Sequence, residues 1–221
     1  MTSRRAAQKL ATRVHRLIDG KIQPSALDDC AETLAAGGVV VVPTDTVYGV
    51  ACGAFNLAAI RRVYQIKGRR YDKPLPVLIH DARLLGLVAD EVRPEAAPLI
   101  ERYWPGPLTL VVKTGPLATG ASRGKSTIAV RVPDHGVLRD LLQRAGIPLA
   151  TTSANRSGRP EVTDGADAVR QFSGHVDIII DGGRCPVGRP SSVVDVTHFP
   201  FVVLREGAVS KRELERCLRV A

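Results

Sequence analysis

Cationic side chains are concentrated in one short segment of this chain. Lys67, Arg69 and Lys73 fall within seven residues and lie next to a glycine. Together they carry enough positive charge to neutralise a triphosphate through charge-assisted hydrogen bonds. Taken alone, the segment could equally be the solvated end of a helix. The cluster therefore raises an anion site as a hypothesis that needs support from other parts of the chain.

Three further segments place polar side chains where predicted strands end or run. Residues 43–49 (PTDTVYG) follow a valine-rich strand and offer two hydroxyls, a carboxylate and a glycine that permits close backbone approach. Ser153 and Asn155 follow the apolar stretch 147–150. Arg131 lies within an apolar strand, where a guanidinium needs an anionic partner. That partner is either a substrate carboxylate or an internal carboxylate.

A near match to the phosphate-binding P-loop is rejected. Residues 120–126 (GASRGKS) have one residue too few between the glycines, and they lead into the strand 128–132 instead of a helix. We read the segment as a surface loop. Any phosphate site in this chain must be built from residues that are separated in sequence.

Hydrophobic periodicity and capping residues predict the elements that must position these side chains. Helices are predicted at 25–36, 56–67, 81–89, 94–103, 134–144, 163–172 and 210–220, with Ser25, Asn56, Asp134 and Ser210 as caps, and strands at 38–42, 75–79, 107–113, 127–132, 147–151, 176–180, 191–196 and 201–205. Strands outnumber crossover helices. A mixed sheet flanked by helices, an α/β fold, therefore fits better than strict βαβ alternation.

Composition bounds the class of protein. A length of 221 residues predicts one domain over 22–221, preceded by a basic extension, 1–21, that we expect to be a solvated helix, with an organelle transit peptide as the alternative. The longest apolar runs are too short to span a membrane. Four cysteines without a CxxC pair indicate neither a zinc site nor a disulfide framework and favour a reducing cytoplasm. The net charge of +9 favours anionic ligands such as nucleotides or nucleic acid.

Together the polar segments resemble the YrdC-like threonylcarbamoyl-AMP synthase family. The matching motifs, in the family's order, are 43–49 (PTDTVYG), 67–69 (KGR), 73–75 (KPL), 104–109 (WPGPLT), 131–133 (RVP), 153–158 (SANRSG) and 191–195 (SSVVD). The resemblance runs from about Gly37 to Gly207. It implies a twisted sheet, largely antiparallel with parallel strands, around a positively charged cleft.

The resemblance also implies a reaction and a set of residue roles. L-threonine, bicarbonate and ATP, with magnesium, would yield threonylcarbamoyl-AMP and pyrophosphate for the t6A modification of tRNA, which further proteins complete. Matching motif positions place ATP against Lys67, Arg69, Lys73, Thr127, Asn155, Thr163 and Arg205, and threonine against Thr46, Arg131, Ser153 and Ser191. Lys67 and Arg69 would be the catalytic residues, with no protein nucleophile and no metal site made of protein side chains.

One departure and two alternatives remain. Family members often have a histidine where this chain has Leu78, and His80 follows two residues later, so the resemblance does not carry over a contact of this strand with threonine. The chain could instead be an RNA-binding module that contacts RNA through a basic cleft, but its nine aromatic residues (four Phe, four Tyr, one Trp) show no recognisable stacking platform. A related carbamoyl-transfer enzyme with another acceptor is the second alternative.

Overall fold

The computed structural model describes residues 10–155 and 158–219. The first nine residues of the predicted extension and the predicted helix end at Val220 lie outside that range. Within it, no helix is both long and apolar enough to cross a membrane.

The described chain forms ten strands and seven α-helices. In chain order they are β1 (Arg13–Arg16), α1 (Pro24–Ala35), β2 (Val40–Val42), β3 (Gly49–Gly53), α2 (Leu57–Lys67), β4 (Val77–Leu78), α3 (Ala97–Tyr103), β5 (Leu108–Lys113), α4 (Thr119–Ser122), β6 (Thr127–Arg131), α5 (Gly136–Ala145), β7 (Leu149–Ser153), α6 (Gly165–Phe172), β8 (Ile178–Asp181), β9 (Ser192–Asp195), β10 (Val202–Arg205) and α7 (Lys211–Arg219). Short 3-10 helices occupy Ala82–Leu87, Pro94–Ala96 and Pro116–Ala118.

All ten strands belong to one sheet with the order β1-β8-β2-β3-β7-β4-β6-β5-β9-β10. The pairs β1/β8, β2/β8, β4/β6 and β5/β9 are parallel, and the other five neighbouring pairs are antiparallel. The predicted mixed sheet is therefore confirmed. Its central strands β2 and β3 are buried along their whole length.

Helices cover the two faces of the sheet unequally. On one face a large apolar core includes Ile60 of α2, Phe172 of α6 and Leu214 of α7. On the other face Leu34 of α1 and Leu141 of α5 pack on a second cluster, whose strand residues come from β8, β2, β3, β7 and β4. Alternate residues of each strand point to opposite faces. The cluster under α1 and α5 does not extend over β6, β5 and β9. On that face of the sheet, a pocket can therefore form over these three strands.

Local sequence signals placed some boundaries wrongly. Strand β3 was missed because Gly49–Gly53 (GVACG) has little β propensity and is held by pairing on both sides. The predicted cap Ser25 lies inside α1, which begins at Pro24 and has no side-chain cap. The cap of α5 is not Asp134 but His135, whose ring nitrogen accepts the Leu138 N–H. Helix α6 begins two residues later than predicted because Asp164 accepts its cap hydrogen bond.

The N-terminal segment takes part in the sheet. Arg13–Arg16 is an edge strand, β1, that pairs in parallel with β8. This part of the extension is therefore not the solvated helix that its composition predicted. The partly buried Val14 packs against the large core, which explains why the segment lies on the sheet.

Candidate functional site

A cavity of about 220 Å³ opens on the face of the sheet that α1 and α5 leave uncovered. Its floor is made by neighbouring strands: Leu78 of β4 lies beside Arg131 of β6, and Thr109 of β5 lies beside Val193 of β9. Polar residues from β7 and the loop before β3 form further walls. The pocket is thus a site on the surface of the sheet that both apolar and polar side chains line.

Arg131 is the buried charge of this pocket. It is 6% exposed, and three of its groups are held by the protein: Nη2 donates to Asp45 Oδ1 at 2.5 Å, Nη1 to Thr46 Oγ1 at 2.8 Å, and Nε to the Gly106 carbonyl at 2.8 Å. The internal carboxylate that the sequence left open is therefore Asp45. Burial away from water lowers the pKa of Arg131, although the Asp45 carboxylate opposes that shift.

The ion pair leaves part of the guanidinium available. A guanidinium has five N–H donors, and three are used by Asp45, Thr46 and Gly106, so among the described residues one N–H on each terminal nitrogen of Arg131 has no partner. Because Arg131 lines the cavity, such a pair of donors can hold a carboxylate. The ion pair and a ligand carboxylate are thus compatible, and were not true alternatives.

A second polar group lies at the β9 side of the pocket. Thr109 Oγ1 and Ser191 Oγ are 2.8 Å apart, and the Arg205 guanidinium donates to the Ser191 carbonyl at 3.1 and 2.7 Å and to Ser191 Oγ at 3.3 Å. Arg205 reaches this position through a bulge in β10. Val203 pairs with Val194, but Arg205 pairs with Val193.

The bulge decides which face of the sheet Arg205 occupies. In a regular strand Arg205 would lie on the same face as Val203, which packs against the large core. The extra residue instead sets Arg205 opposite Val193, and both line the cavity. Sequence periodicity alone would have turned this arginine away from the site.

Lys67 joins the end of α2 to the Ser153–Asn155 segment. Asn56 caps α2 as predicted, and Lys67 lies in its last turn before Gly68, which adopts a left-handed conformation. The Lys67 ammonium donates to the Ser153 carbonyl and, at 2.7 Å, to Asn155 Oδ1. Burial, and to a lesser degree the neighbouring Arg69, lower the pKa of Lys67 to about 8.

Arg69 lines the cavity from the loop that follows α2. Its Nη2 donates to the Pro74 carbonyl at 3.0 Å, while its buried Nε has no hydrogen-bond partner among the described residues. An unsatisfied buried donor on a cation costs free energy, and an anionic ligand would satisfy it. Lys73, on the same loop, is exposed to solvent.

Two other residues expected at ATP lie outside this cavity. Thr127 shares the face of Ala129 and Arg131 and lies two residues beyond Ala129, which lines the cavity. Thr163 lines a neighbouring depression of about 660 Å³ together with Arg159 and Asp167. The two depressions share Glu161, so they are contiguous.

The structure thus brings most of the expected residues together. The main cavity is lined by Arg69, Arg205, Thr46, Arg131, Ser153 and Ser191, while Lys67 and Asn155 lie directly behind Ser153. Sequence reasoning missed Thr109 and Glu161 as lining residues. Thr109 ends a quoted motif and was therefore within reach, but Glu161 is in a loop without any local signal.

The fold and the pocket together define an α/β protein with an arginine-lined site on the open face of a mixed sheet. Residues 32–207 match the Sua5/YciO/YrdC protein family, which carries the description "Telomere recombination". The chain belongs to this family. The resemblance that the sequence motifs indicated is therefore confirmed.

Individual relatives carry more specific names. The chain is 38% identical over 183 residues to a threonylcarbamoyl-AMP synthase of Pyrococcus abyssi and 36% identical over 187 residues to one of Bacillus subtilis. These matches cover 82% and 84% of this chain but 54% of each relative, so the chain spans about half of their length. A crystal structure of P. abyssi Sua5 complexed with L-threonine is similar with a TM-score of 0.88 and 35% identity, covering 93% of this chain and 60% of that one.

Proposed function

We propose that this chain is an L-threonylcarbamoyladenylate synthase, which forms threonylcarbamoyl-AMP from L-threonine, bicarbonate and ATP. The observation that carries the proposal is the Arg131 guanidinium, held by Asp45 yet keeping two N–H donors in a cavity of amino-acid size. The names of the relatives above support it. The product would serve the t6A modification of tRNA, in which further proteins take part.

The proposed reaction needs no covalent bond to the protein. The threonine amine and bicarbonate form a carbamate with loss of water. A carbamate oxygen then attacks the α-phosphorus of ATP, the bond from that phosphorus to the bridging oxygen breaks, and pyrophosphate leaves. Positioning and charge stabilisation are therefore the chain's main contributions.

The residues around Arg131 suit the threonine end of this reaction. Its free N–H groups would hold the carboxylate, and the Thr46, Ser153 and Ser191 side chains offer hydroxyls at the same cavity. Leu78 lines the cavity where a histidine is frequent in the family. An apolar wall there is compatible with the threonine methyl group, and His80 is not among the lining residues.

The cations beside this cavity suit the triphosphate. Arg69 and Arg205 line the cavity, and the Lys67 ammonium lies behind Ser153. We assign the catalytic role to Lys67 and Arg69, which would neutralise the charge that develops on the phosphates. The nucleotide would extend past Glu161 into the neighbouring depression lined by Thr163. Lys73, Thr127 and Asn155 would complete this half of the site.

Magnesium fits this arrangement as a partner of the phosphates. Among residues 10–155 and 158–219, no group of three or more His, Cys, Asp or Glu side chains could hold a metal ion. Mg²⁺ is commonly bound through substrate phosphates and one or two carboxylates. Bound with ATP it would add positive charge at the phosphates, and Glu161 is the carboxylate that lines both depressions.

Pyrophosphate release from ATP tests the proposal. We expect release only when threonine and bicarbonate are both present, with serine a poorer substrate and RNA alone without effect. Arg69→Ala should lower the rate about a hundredfold or more, whereas Arg83→Ala, which removes an exposed arginine elsewhere, should not. Pyrophosphate release that does not depend on threonine would refute the proposal, and so would tight RNA binding by a chain that makes no adenylate.

A further inference from the structure

The loop that carries Arg69 and Lys73 is held by an aromatic cluster outside the cavity. The rings of Tyr64, on α2, and Tyr71, in the loop, are stacked with their centroids 4.8 Å apart and an angle of 21° between their planes. The sequence had shown no stacking platform, because the two tyrosines are separated by the end of a helix. The pair forms only when the chain turns back at Gly68.

Arg123 closes this cluster from a different part of the chain. Its guanidinium carbon lies 5.5 Å from the Tyr71 ring centroid and 5.8 Å from that of Tyr64, within the range of cation–π attraction. Its Nε also donates to the Tyr71 carbonyl at 3.2 Å. One side chain thus binds both the rings and the backbone of the loop.

The backbone of Arg123 is unusual for a residue with a side chain. It caps α4 in the left-handed region, with φ of +60°, and Gly124 follows at +74°. A non-glycine residue in that region costs free energy that glycine avoids. The contacts of the Arg123 side chain offset that cost, which motivates a role for the side chain itself.

Further hydrogen bonds hold the segment that carries Arg69 and Lys73. Tyr64 Oη donates to the Lys73 carbonyl at 2.6 Å, Arg69 Nη2 donates to the Pro74 carbonyl at 3.0 Å, and the Leu75 N–H donates to the Ala121 carbonyl of α4 at 3.0 Å. The loop is therefore tied to α2 on one side and to α4 on the other. Without these contacts, Arg69 and Lys73 would lie on a connection between α2 and β4 that is free to move.

From these contacts we propose that Arg123 is a positioning residue for ATP, which holds Tyr71 and so fixes Arg69 and Lys73 before the nucleotide binds. The proposal rests on the proposed function for its ATP readout, but the order of the loop can be measured without any substrate. Preorganised cations lose less conformational entropy when the triphosphate binds. The effect therefore falls on ATP and not on threonine.

The test compares variants of the full chain. Arg123→Gly tolerates the left-handed backbone, and the relief of strain offsets part of the loss of side-chain contacts, so the variant should still fold. We expect KM for ATP to rise about tenfold, the combined loss of an exposed cation–π contact and a hydrogen bond, while KM for threonine stays unchanged. Arg123→Lys should recover part of the effect. Lys125→Ala removes a cation two residues after Arg123 and serves as the control for net charge.

Hydrogen exchange provides the readout that is independent of catalysis. In the absence of ATP, the backbone N–H groups of residues 69–73 and of Leu75 should exchange faster in Arg123→Gly than in the wild type and in Lys125→Ala. Unchanged exchange together with an unchanged KM for ATP would overturn the proposal. An equal rise in KM for ATP in Arg123→Gly and Lys125→Ala would overturn it too, because charge alone would then explain the effect. If the wild type makes no adenylate, the proposed function is refuted. The hydrogen-exchange result would still show whether Arg123 orders the segment that carries Arg69 and Lys73.

Discussion

Asp45→Asn tests the reasoning about the pocket most directly, because it changes one charge and almost no volume. Asp45 and Arg131 form an ion pair at 2.5 Å with side-chain exposures of only 6% and 7%. The substitution leaves the guanidinium with neutral protein partners only, which are the Thr46 hydroxyl, the Gly106 carbonyl and the new amide oxygen. Asp45 Oδ2 has no hydrogen-bond partner among the described residues. In the variant, the amide nitrogen takes the position of Oδ2, either directly or after rotation of the amide group.

The expected cost follows from the burial of the pair. Removing one partner of a buried ion pair costs about 3–5 kcal/mol because the other charge stays in a low-dielectric site. The asparagine oxygen can still accept one hydrogen bond from Arg131, so we expect the low end, about 3 kcal/mol. For a chain of this length, such a loss corresponds to a decrease of roughly 6–12 °C in the melting temperature.

Denaturant unfolding and thermal unfolding would measure the loss, with Glu91→Gln as the matched control. Glu91 pairs with Lys113 at the surface, where the side chains are 56% and 48% exposed, and its substitution should cost less than about 1 kcal/mol. We also expect a higher KM for threonine in Asp45→Asn, because the guanidinium loses its orienting partner. Equal stability losses in the two variants would refute the view that Arg131 is a buried charge compensated by Asp45.

Three further predictions address other parts of the site. The pKa of Lys67 is lowered to about 8, so its positive charge is present below that pH and lost above it. We therefore expect kcat/KM for ATP to fall as the pH rises through about 8. Lys67→Arg should remove this decrease, because an arginine stays charged in that range. Deletion of Leu204 should remove the β10 bulge yet keep Arg205 opposite Val193, so KM for ATP should stay near the wild-type value, whereas Arg205→Ala should raise it. A Cβ on Gly207 would lie 2.3 Å from a backbone oxygen before β9, so Gly207→Ala should lower stability by about 1–3 kcal/mol in denaturant unfolding, whereas Gly136→Ala meets no atom within 4 Å and should not.

Local patterns predicted most of the elements that carry the site. Helix α2 is capped by Asn56 and ends at Lys67 as predicted, because the capping signal acts within one turn of the helix. The capping box of α7 is also present, since the Ser210 N–H donates to Glu213 Oε2 and the Glu213 N–H to Ser210 Oγ. Strand β3 was missed because long-range pairing, not the side chains of Gly49–Gly53, holds it in the sheet.

The family and the mixed sheet were predictable from the sequence, because motif order and local periodicity are properties of the chain itself. The sequence also identified Arg131 as a charge in need of an anion, since a guanidinium in an apolar strand is costly unless it is paired. Only the tertiary structure decided that Asp45 supplies the pairing while two N–H groups stay free. It also decided that a bulge turns Arg205 into the pocket and that Arg123 reaches the cationic loop. These contacts join residues far apart in sequence, so they depend on strand register and loop geometry that no local pattern encodes.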